Sequence, residues 1–306
     1  MSLALPAAVD LREVGLRDGL QLETPLPLRT KLEILDAVAA TGVRRVEVTS
    51  FVSPTAVPAL ADAEALVAEL GRWPGLRFSA LVAGSGGARR AVEAGMPDLE
   101  YVISVSDGHS HANAGRPTER AVAATADIAR LAHDAGGCCE AILACAWDCP
   151  FDGRTPVSRT VDAARRAVEL GADRLCVADT IGTTVPGRLV ELVEAVRAAC
   201  PGVEVGVHLH NTRGSGLACV LAAVQIGVTQ LDVSVGGLGG CPFAPGASGN
   251  IATEEVVYLL EESGVHTGLD LGRVLDAVGV VERAVGHDLP SNLYRAGGRA
   301  RPRPRV

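Results

Sequence analysis

Short apolar runs alternate with longer amphipathic stretches along most of the chain. The amphipathic stretches repeat apolar residues at i, i+3 and i+4, the period of a helix with one buried face, and run over 28–40, 56–70, 118–135, 157–170 and 186–199. Several of them stop at a glycine, the residue that most readily takes the left-handed conformation that ends a helix. The apolar runs between them predict eight strands, which begin near Val9, Arg45, Leu76, Leu99, Glu140, Arg174, Val203 and Gln230.

This regular alternation, with no linker and no break in composition, predicts an α/β protein built as a closed (β/α)8 TIM barrel. An open doubly wound sheet seldom continues so regularly, whereas a barrel commonly uses about 250 residues as one domain. The 306 residues therefore fit one barrel domain over 1–289, which includes an extra helix from about Asp270. The remainder, 290–306, alternates Arg with Gly and Pro and predicts a short, basic, disordered tail.

Composition and charge exclude several classes of protein. A formal net charge of −8 argues against sequence-independent binding of nucleic acid, and 48% apolar residues argue against a disordered chain. The eight cysteines form no pair of CxxC motifs and predict neither a disulfide framework nor a zinc site. No leader with a basic start and no run of about 18 apolar residues is found, so we expect a cytoplasmic protein with no membrane partner.

Polar residues of the kinds used in catalysis follow the predicted strands. In a (β/α)8 barrel the chemistry lies at the C-terminal ends of the strands, so polar residues there are candidates for function. Arg17 and Asp18 follow the first strand, Glu47 ends the second, Asp179 follows the sixth, His208 and His210 end the seventh, and Asn250 follows the eighth. We expect all of these side chains on one rim of the barrel.

The spacing of two histidines predicts a metal site. His208 and His210 are two residues apart, which puts both imidazoles on one face of a strand. With Asp18 and Asn250 on the same rim, the ligands would be nitrogen and oxygen without thiolate, a set that suits Mg²⁺ or Mn²⁺. A second pair with the same spacing begins at His109, but the segment around it is predicted to be a loop. Hydrogen-bonded histidines are favoured there, and a substrate contact from His109 is the alternative.

Two further features suggest how the metal would be used. Arg17 beside Asp18 would place a fixed guanidinium next to a divalent cation, an arrangement that stabilises an enolate or another oxyanion. The glycine-dense stretch 236–242 follows the eighth strand and reads either as a tight turn or as a lid over the barrel mouth. As a lid it would carry Cys241 to the site as a proton donor or acceptor.

Four motifs bring the sequence to a known family. They are VGLRDGLQ at 14–21, EVTSFVSP at 47–54, DTIG at 179–182 and GLGGCPFAPGASGNIATE at 237–254. They resemble the motifs of the 3-hydroxy-3-methylglutaryl-CoA lyases, metal-dependent TIM barrels related to isopropylmalate and homocitrate synthases. The match extends from about Val9 to Leu289, and the last motif is highly specific.

The resemblance implies an enzyme that splits 3-hydroxy-3-methylglutaryl-CoA, an acyl-CoA thioester, into acetyl-CoA and acetoacetate. It also implies a homodimer. The roles that it implies are metal ligands at Asp18, His208, His210 and Asn250, enolate stabilisation by Arg17, a lid cysteine at Cys241, and support of the site or substrate by Glu47, Asp179, Gln21 and Ser50. The proton returned to carbon would come from Cys241 or from a ligand histidine such as His208.

The sequence departs from the lyase pattern in places that keep alternatives open. Where the family usually reads HxHDTYG, this chain has HLHNTRG at 208–214, and Leu16 replaces a proline. HxHN and LRDG resemble the related Claisen-type synthases, although those lack the GGCP lid and generally carry extra C-terminal domains. Arg213 is either an exposed arginine or a reader of another carboxylate or phosphate, so a different 3-hydroxyacyl-CoA such as citramalyl-CoA is a second alternative. A non-catalytic barrel is disfavoured by the complete set of rim residues.

Overall fold

Eight parallel strands form one closed barrel. The computed structural model describes residues 4–240, 249–298 and 301–302. The barrel strands are β1 Asp10–Glu13, β2 Arg45–Ser50, β3 Arg77–Val82, β4 Leu99–Ser104, β5 Cys139–Ala144, β6 Arg174–Asp179, β7 Glu204–Leu209 and β8 Gln230–Val233. They close in sequence order, with β8 pairing with β1, and all eight pairings are parallel. The (β/α)8 TIM barrel predicted from the sequence is confirmed.

Helices surround the barrel, as the amphipathic stretches predict. They are α1 Leu28–Ala39, α2 Ala63–Ala68, α3 Ser85–Glu93, α4 Asp107–Ala114, α5 Thr118–Ala123, α6 Thr125–Asp134, α7 Val157–Glu169, α8 Pro186–Ala199, α9 Gly216–Gln225, α10 Thr253–Glu262, α11 Leu271–Val285 and α12 Asn292–Ala296. Two predicted helices are interrupted. Stretch 56–70 holds the α-helix α2 after a short 3₁₀ turn, Pro58–Leu60, whose first turn contains the proline. Stretch 118–135 is divided into α5 and α6 at Ala124, which keeps a right-handed conformation.

The alternation of side chains along each strand separates an apolar outer wall from a polar interior. Val46 and Val48 of β2 are fully buried in the hydrophobic core that joins the strands to the surrounding helices. Glu47, between them, faces the other way and is buried beside Arg17. Because residues i and i+2 share a face of a strand, one residue in two is available to line the interior.

A buried arginine occupies the centre of the barrel. Arg12 of β1 is 3% exposed and forms ion pairs with three carboxylates from other strands. Its Nε lies 2.8 Å from Asp232 Oδ1, and its Nη1 lies 2.7 Å from Glu100 Oε1 and 3.0 Å from Glu140 Oε2. Burial alone would raise the pKa of Asp232, but the Arg12 guanidinium outweighs burial and holds that pKa well below its usual range. Arg12 therefore connects β1 with β4, β5 and β8.

The C-terminal segment differs from the prediction of disorder from residue 290. Helix α11 is the extra helix expected from about Asp270, whose Oδ1 accepts a hydrogen bond from Arg273 N at 3.0 Å. Helix α12 then follows within the segment that was expected to be disordered, and Glu255 Oε1 accepts a hydrogen bond from Asn292 N at 2.6 Å. The Arg-, Gly- and Pro-rich composition does not reveal this tertiary partner on α10.

Among the described helices, none has both the length and the apolar character needed to cross a membrane.

We predict that Arg12→Met destabilises the fold strongly, because Glu100 and Asp232 lose their paired arginine and Glu140 keeps only the more distant guanidinium groups of Arg45 and Arg174. Breaking a buried ion pair from one side costs about 3–5 kcal/mol in the free energy of unfolding. The carboxylates left behind would have folded-state pKa values above their unfolded values, so the loss should be smaller at pH 5 than at pH 8. Urea unfolding followed by circular dichroism measures both effects.

Arg29→Met is the matched control, since Arg29 pairs with Glu33 on the surface and its side chain is 90% exposed. We expect a change of less than about 0.5 kcal/mol. Equal shifts of the urea midpoint for the two variants would contradict a structural role for Arg12.

Candidate active site

A wide helical turn after β1 places two neighbouring charges at the barrel mouth. In this turn, Gly15–Gly19, the N–H groups of Arg17 and Asp18 both donate to Val14 O, at 3.1 and 2.8 Å. Widened turns of this kind are frequent at functional sites. Arg17 is 7% exposed and Asp18 is 6% exposed, so both charges are largely removed from water.

The predicted histidine pair lies at the end of β7. His208 belongs to the strand, and His210 follows it and forms an isolated bridge with Asn250. The two Nε2 atoms are 3.1 Å apart, and Asp18 Oδ2 lies 4.0 Å from Nε2 of His208 and 3.8 Å from Nε2 of His210. One ligand atom from each of these three residues lies within 4.8 Å of the others. The three side chains can therefore bind one metal ion.

The surroundings of Asp18 keep its carboxylate ionised. Burial alone would raise the pKa of Asp18, but the Arg17 guanidinium and the neighbouring His210 and His208 imidazoles outweigh burial, and the pKa lies well below its usual range. Arg17 Nη1 is 2.5 Å from Asp18 Oδ1, and Asn250 Nδ2 donates to Asp18 Oδ2 at 2.7 Å. Rotation of the Asn250 amide would turn its oxygen towards the same point. Asn250 is thus adjacent to the three-residue set.

Glu47 lies deeper in the barrel than the sequence analysis expected. It is the third residue of β2 rather than the last, because pairing with β3 continues as far as Ser50. The Glu47 side chain is fully buried, and its Oε2 lies 2.6 Å from Arg17 Nη2. Burial raises the pKa of Glu47, with Arg17 opposing the rise. Glu47 and Asp18 together fix the Arg17 guanidinium from two sides.

Three further residues singled out in the sequence lie at different distances from these groups. Gln21 Nε2 donates to Asp18 Oδ1 at 3.0 Å. Ser50 is buried and, like Arg17 and Asp18, lines a cavity at the barrel mouth. Asp179, the last residue of β6, accepts hydrogen bonds from Thr183 N and Thr184 N at 3.0 and 2.9 Å and so shapes the loop that follows.

Arg213 is exposed and braces a neighbouring loop. Its Nη1 donates to Ile181 O at 2.6 Å and to Gly182 O at 3.2 Å. The guanidinium therefore contacts the backbone of the loop after β6, and Arg213 is absent from the cavity wall that holds Arg17 and the two histidines. This geometry favours a structural contact over the recognition of a carboxylate or phosphate.

The second histidine pair lies in a helix, so its assignment to a loop was wrong. Helix α4 carries His109, which is 3% exposed, and its Nδ1 lies 2.7 Å from Ser104 Oγ. Burial lowers the pKa of His109. The favoured interpretation, a hydrogen-bonded histidine, agrees with this contact, yet His109 also lines the cavity beside the candidate metal ligands.

Two backbone segments of the GLGGCPFAPGASGNIATE motif, at Gly239 and at Gly249, lie in close contact next to Asn250. Gly239 has φ +128°, and a Cβ there would come within 2.5 Å of Asn250 Nδ2. A Cβ on Gly249, at φ +63°, would overlap Gly239 O. Only glycine fits at these two positions, because both combine a positive φ with a backbone or side-chain atom where a Cβ would lie. Cys241 lies outside the described residues.

Two buried glutamates that the sequence analysis missed hold the base of this stretch. Glu13 Oε1 accepts from Val235 N at 2.9 Å, and Glu254 Oε2 accepts from Gly236 N at 3.1 Å. Burial raises the pKa of each to about 7, with hydrogen bonds opposing the rise and a neighbouring glutamate adding to it. Glu254 belongs to the GLGGCPFAPGASGNIATE motif, but its role there could not be read from sequence.

The polar groups line a cavity of about 670 Å³. Arg17, Asp18, His208 and His210 belong to its wall. Leu81, Val102, Ile142, Ala144 and Ala178 form an apolar part of the same wall, and Ala178 pairs with His208 across neighbouring strands. A cation and a guanidinium in this cavity could stabilise oxyanions, while the adjoining apolar side chains limit the access of water to the reacting atoms.

Comparisons with known proteins agree on one family. The HMGL-like family model matches residues 8–281. Hydroxymethylglutaryl-CoA lyase YngG of Bacillus subtilis is 35% identical over 94% of this chain and 96% of its own length, and the mitochondrial hydroxymethylglutaryl-CoA lyase of Mus musculus is 35% identical over 95% and 90%. A solved structure of an HMG-CoA lyase from Acinetobacter baumannii, in complex with coenzyme A and 3-methylmalate, superposes with a TM-score of 0.92 at 34% identity and covers 98% of both chains.

We predict that Glu13→Gln changes how stability depends on pH. The folded-state pKa of Glu13, about 7, lies above its unfolded value, so its stabilising contribution is complete below about pH 4.5 and is lost as pH rises through 7. Glutamine mimics the protonated acid at every pH. The variant should therefore gain about 2–3 kcal/mol relative to the wild type between pH 5 and pH 8, measured by urea unfolding. Parallel pH curves for the two proteins would contradict a raised pKa of Glu13 in the folded state.

Proposed function

The chain belongs to the HMGL-like family, and from this premise we propose that it cleaves 3-hydroxy-3-methylglutaryl-CoA into acetyl-CoA and acetoacetate. It is a carbon–carbon lyase, as its named relatives are. The observation that carries the proposal is the cavity in which the buried side chain of Arg17 adjoins Asp18, His208 and His210. The coenzyme A in the Acinetobacter baumannii structure supports an acyl-CoA substrate.

Asp18, His208 and His210, together with Asn250, would hold the divalent metal on which this family depends. Two imidazoles, a carboxylate and an amide oxygen, with no thiolate among them, favour Mg²⁺ or Mn²⁺ over zinc. A cation bound there supplies a Lewis acid that lowers the pKa of a nearby hydroxyl and stabilises oxyanions. The low pKa of Asp18 fits this use, because the carboxylate needs no deprotonation before it binds a cation.

The reaction is a retro-aldol cleavage. A base removes the proton of the C3 hydroxyl, the C2–C3 bond breaks, and C3 becomes the ketone of acetoacetate. The electron pair of that bond passes into the thioester, which leaves as an enolate. A proton delivered to C2 then gives acetyl-CoA, so one proton is taken and one returned.

Arg17 would stabilise the enolate oxygen. Glu47 and Asp18 hold its guanidinium in place, so little reorganisation is needed as negative charge develops. Glu47 acts in this proposal through Arg17 and does not touch the substrate. Cys241 would return the proton to C2, because a His208 that binds the cation through Nε2 and donates its Nδ1–H to Asp232 has no proton to give.

The remaining residues would shape and close the site. Gln21 would orient Asp18, Ser50 would contact the acyl chain, and Asp179 would hold the loop after β6. The bond from Arg213 to Ile181 O would brace that same loop. A homodimer and a cytoplasmic location stay predictions from the sequence.

We predict that the purified protein with Mn²⁺ or Mg²⁺ converts 3-hydroxy-3-methylglutaryl-CoA into equal amounts of acetyl-CoA and acetoacetate. Chelation should abolish turnover and added Mn²⁺ should restore it, with products identified by mass spectrometry. If no cleavage occurs, and coenzyme A is instead released from acetyl-CoA with a 2-oxo acid, the protein is a condensing synthase and the proposal is wrong.

We also predict that Arg17→Gln lowers kcat by about 10²- to 10³-fold, the cost of removing one preorganised donor to an oxyanion. Binding of Mn²⁺ should persist in the variant, which shows that the site is still assembled. Arg77→Gln is the control, because Arg77 is exposed and begins β3 at the opposite end of the barrel. A kcat for Arg17→Gln within tenfold of the wild type would exclude the role given to Arg17.

A further inference from the structure

Asp232 of β8 joins the centre of the barrel to the candidate metal site, and no step of the proposed mechanism uses it. The residue is 5% exposed. Its Oδ1 accepts a hydrogen bond from Arg12 Nε at 2.8 Å, and its Oδ2 accepts one from Arg12 Nη2 at 2.9 Å. The same Oδ2 lies 3.1 Å from His208 Nδ1. A two-point contact of this kind fixes the plane of the carboxylate as well as its position.

The contact with Asp232 decides which nitrogen of His208 carries the proton. A carboxylate held by two N–H groups of Arg12 is an acceptor, so His208 Nδ1 must be the donor. In the neutral ring, Nε2 then carries the lone pair. That nitrogen lies 3.1 Å from His210 Nε2 and 4.0 Å from Asp18 Oδ2, so the lone pair faces the position where the ligand atoms converge.

His210 lacks an equivalent arrangement. Its Nδ1 is buried and has no hydrogen-bond partner among the residues that the structure describes. Its Nε2 must be the donor in the contact with His208 Nε2, because the lone pair of His208 is already assigned there. Of the two histidines, only His208 is oriented by a carboxylate in the absence of a cation.

We propose that Asp232 is a positioning residue for the divalent cation: it fixes the ring and the tautomer of His208, and Arg12 in turn fixes Asp232. Carboxylates that orient metal-binding histidines are a general device, and removing one typically weakens metal binding by about 10- to 100-fold. This inference rests on the metal site of the proposed function, and it adds a functional reason for the charged centre of the barrel.

The chain offers a matched pair of variants for the test. Asp232→Asn and Glu140→Gln each remove one negative charge from the partners of Arg12, and the two residues are 5% and 3% exposed. Only Asp232 touches His208. A purely structural role for the cluster predicts the same effect for both variants, whereas a positioning role predicts an effect on metal binding for Asp232→Asn alone.

The measurement is the dissociation constant of Mn²⁺, obtained by electron paramagnetic resonance on each folded protein at one pH. We expect Asp232→Asn to weaken binding by about 10- to 100-fold and Glu140→Gln to change it by less than about threefold. Turnover of Asp232→Asn should recover with excess Mn²⁺. Equal weakening in the two variants, or unchanged binding in Asp232→Asn, would overturn the proposal.

A second measurement reads the tautomer of His208 in the wild-type protein. Nitrogen-15 NMR of histidine-labelled protein, with the His208 signals assigned by their loss in His208→Gln, should show Nδ1 protonated and Nε2 unprotonated. The opposite tautomer would overturn the proposal. If the wild type binds Mn²⁺ but does not cleave the thioester, the proposed function fails while this inference stands; if it binds no Mn²⁺, both fail.

Discussion

At the centre of the barrel one guanidinium, that of Arg12, contacts three buried carboxylates, and the candidate site depends on how these charges are paired. Charges in so dry an interior are tolerated only in close, well-directed pairs. Arg12 of β1 forms such pairs with carboxylates on β4, β5 and β8. One of the three carboxylates, Asp232, has a second neighbour in His208. The rigid centre of the fold is therefore in direct contact with the mouth, where chemistry takes place.

At the barrel mouth a second set of buried charges is also held in close pairs. Arg17 lies between Glu47 below and Asp18 beside it, and Asp18 in turn faces the two histidines. Each group has a neighbour of opposite charge or a hydrogen bond that holds it still, which suits a site that must stabilise a short-lived oxyanion. The apolar side chains of the same cavity place hydrocarbon beside these charges. Fixed charges next to an apolar wall favour carbon–carbon cleavage through an enolate.

The sequence predicted the rim well because strand ends in a closed barrel converge on one face. His208, His210 and Asp18 could be placed together from strand counting and spacing alone. Asp232 and Arg12 could not, since they lie 220 residues apart and each reads as an isolated charge within a strand. The depth of Glu47 was missed because the end of β2 is set by pairing with β3, and the helix around His109 because its sequence lacks a marked apolar stripe. Composition likewise gave no sign that Glu255 would bind the start of α12.

A crystal structure of the protein grown with Mn²⁺ tests the central claim most directly, because anomalous scattering locates the ion without reference to the surrounding residues. We expect one ion within about 2.3 Å of Asp18 and of Nε2 of both histidines, with Asp232 still hydrogen-bonded to Nδ1 of His208. An ion bound elsewhere, or His208 turned away from Asp232, would contradict the dependence of the site on the charged centre of the barrel.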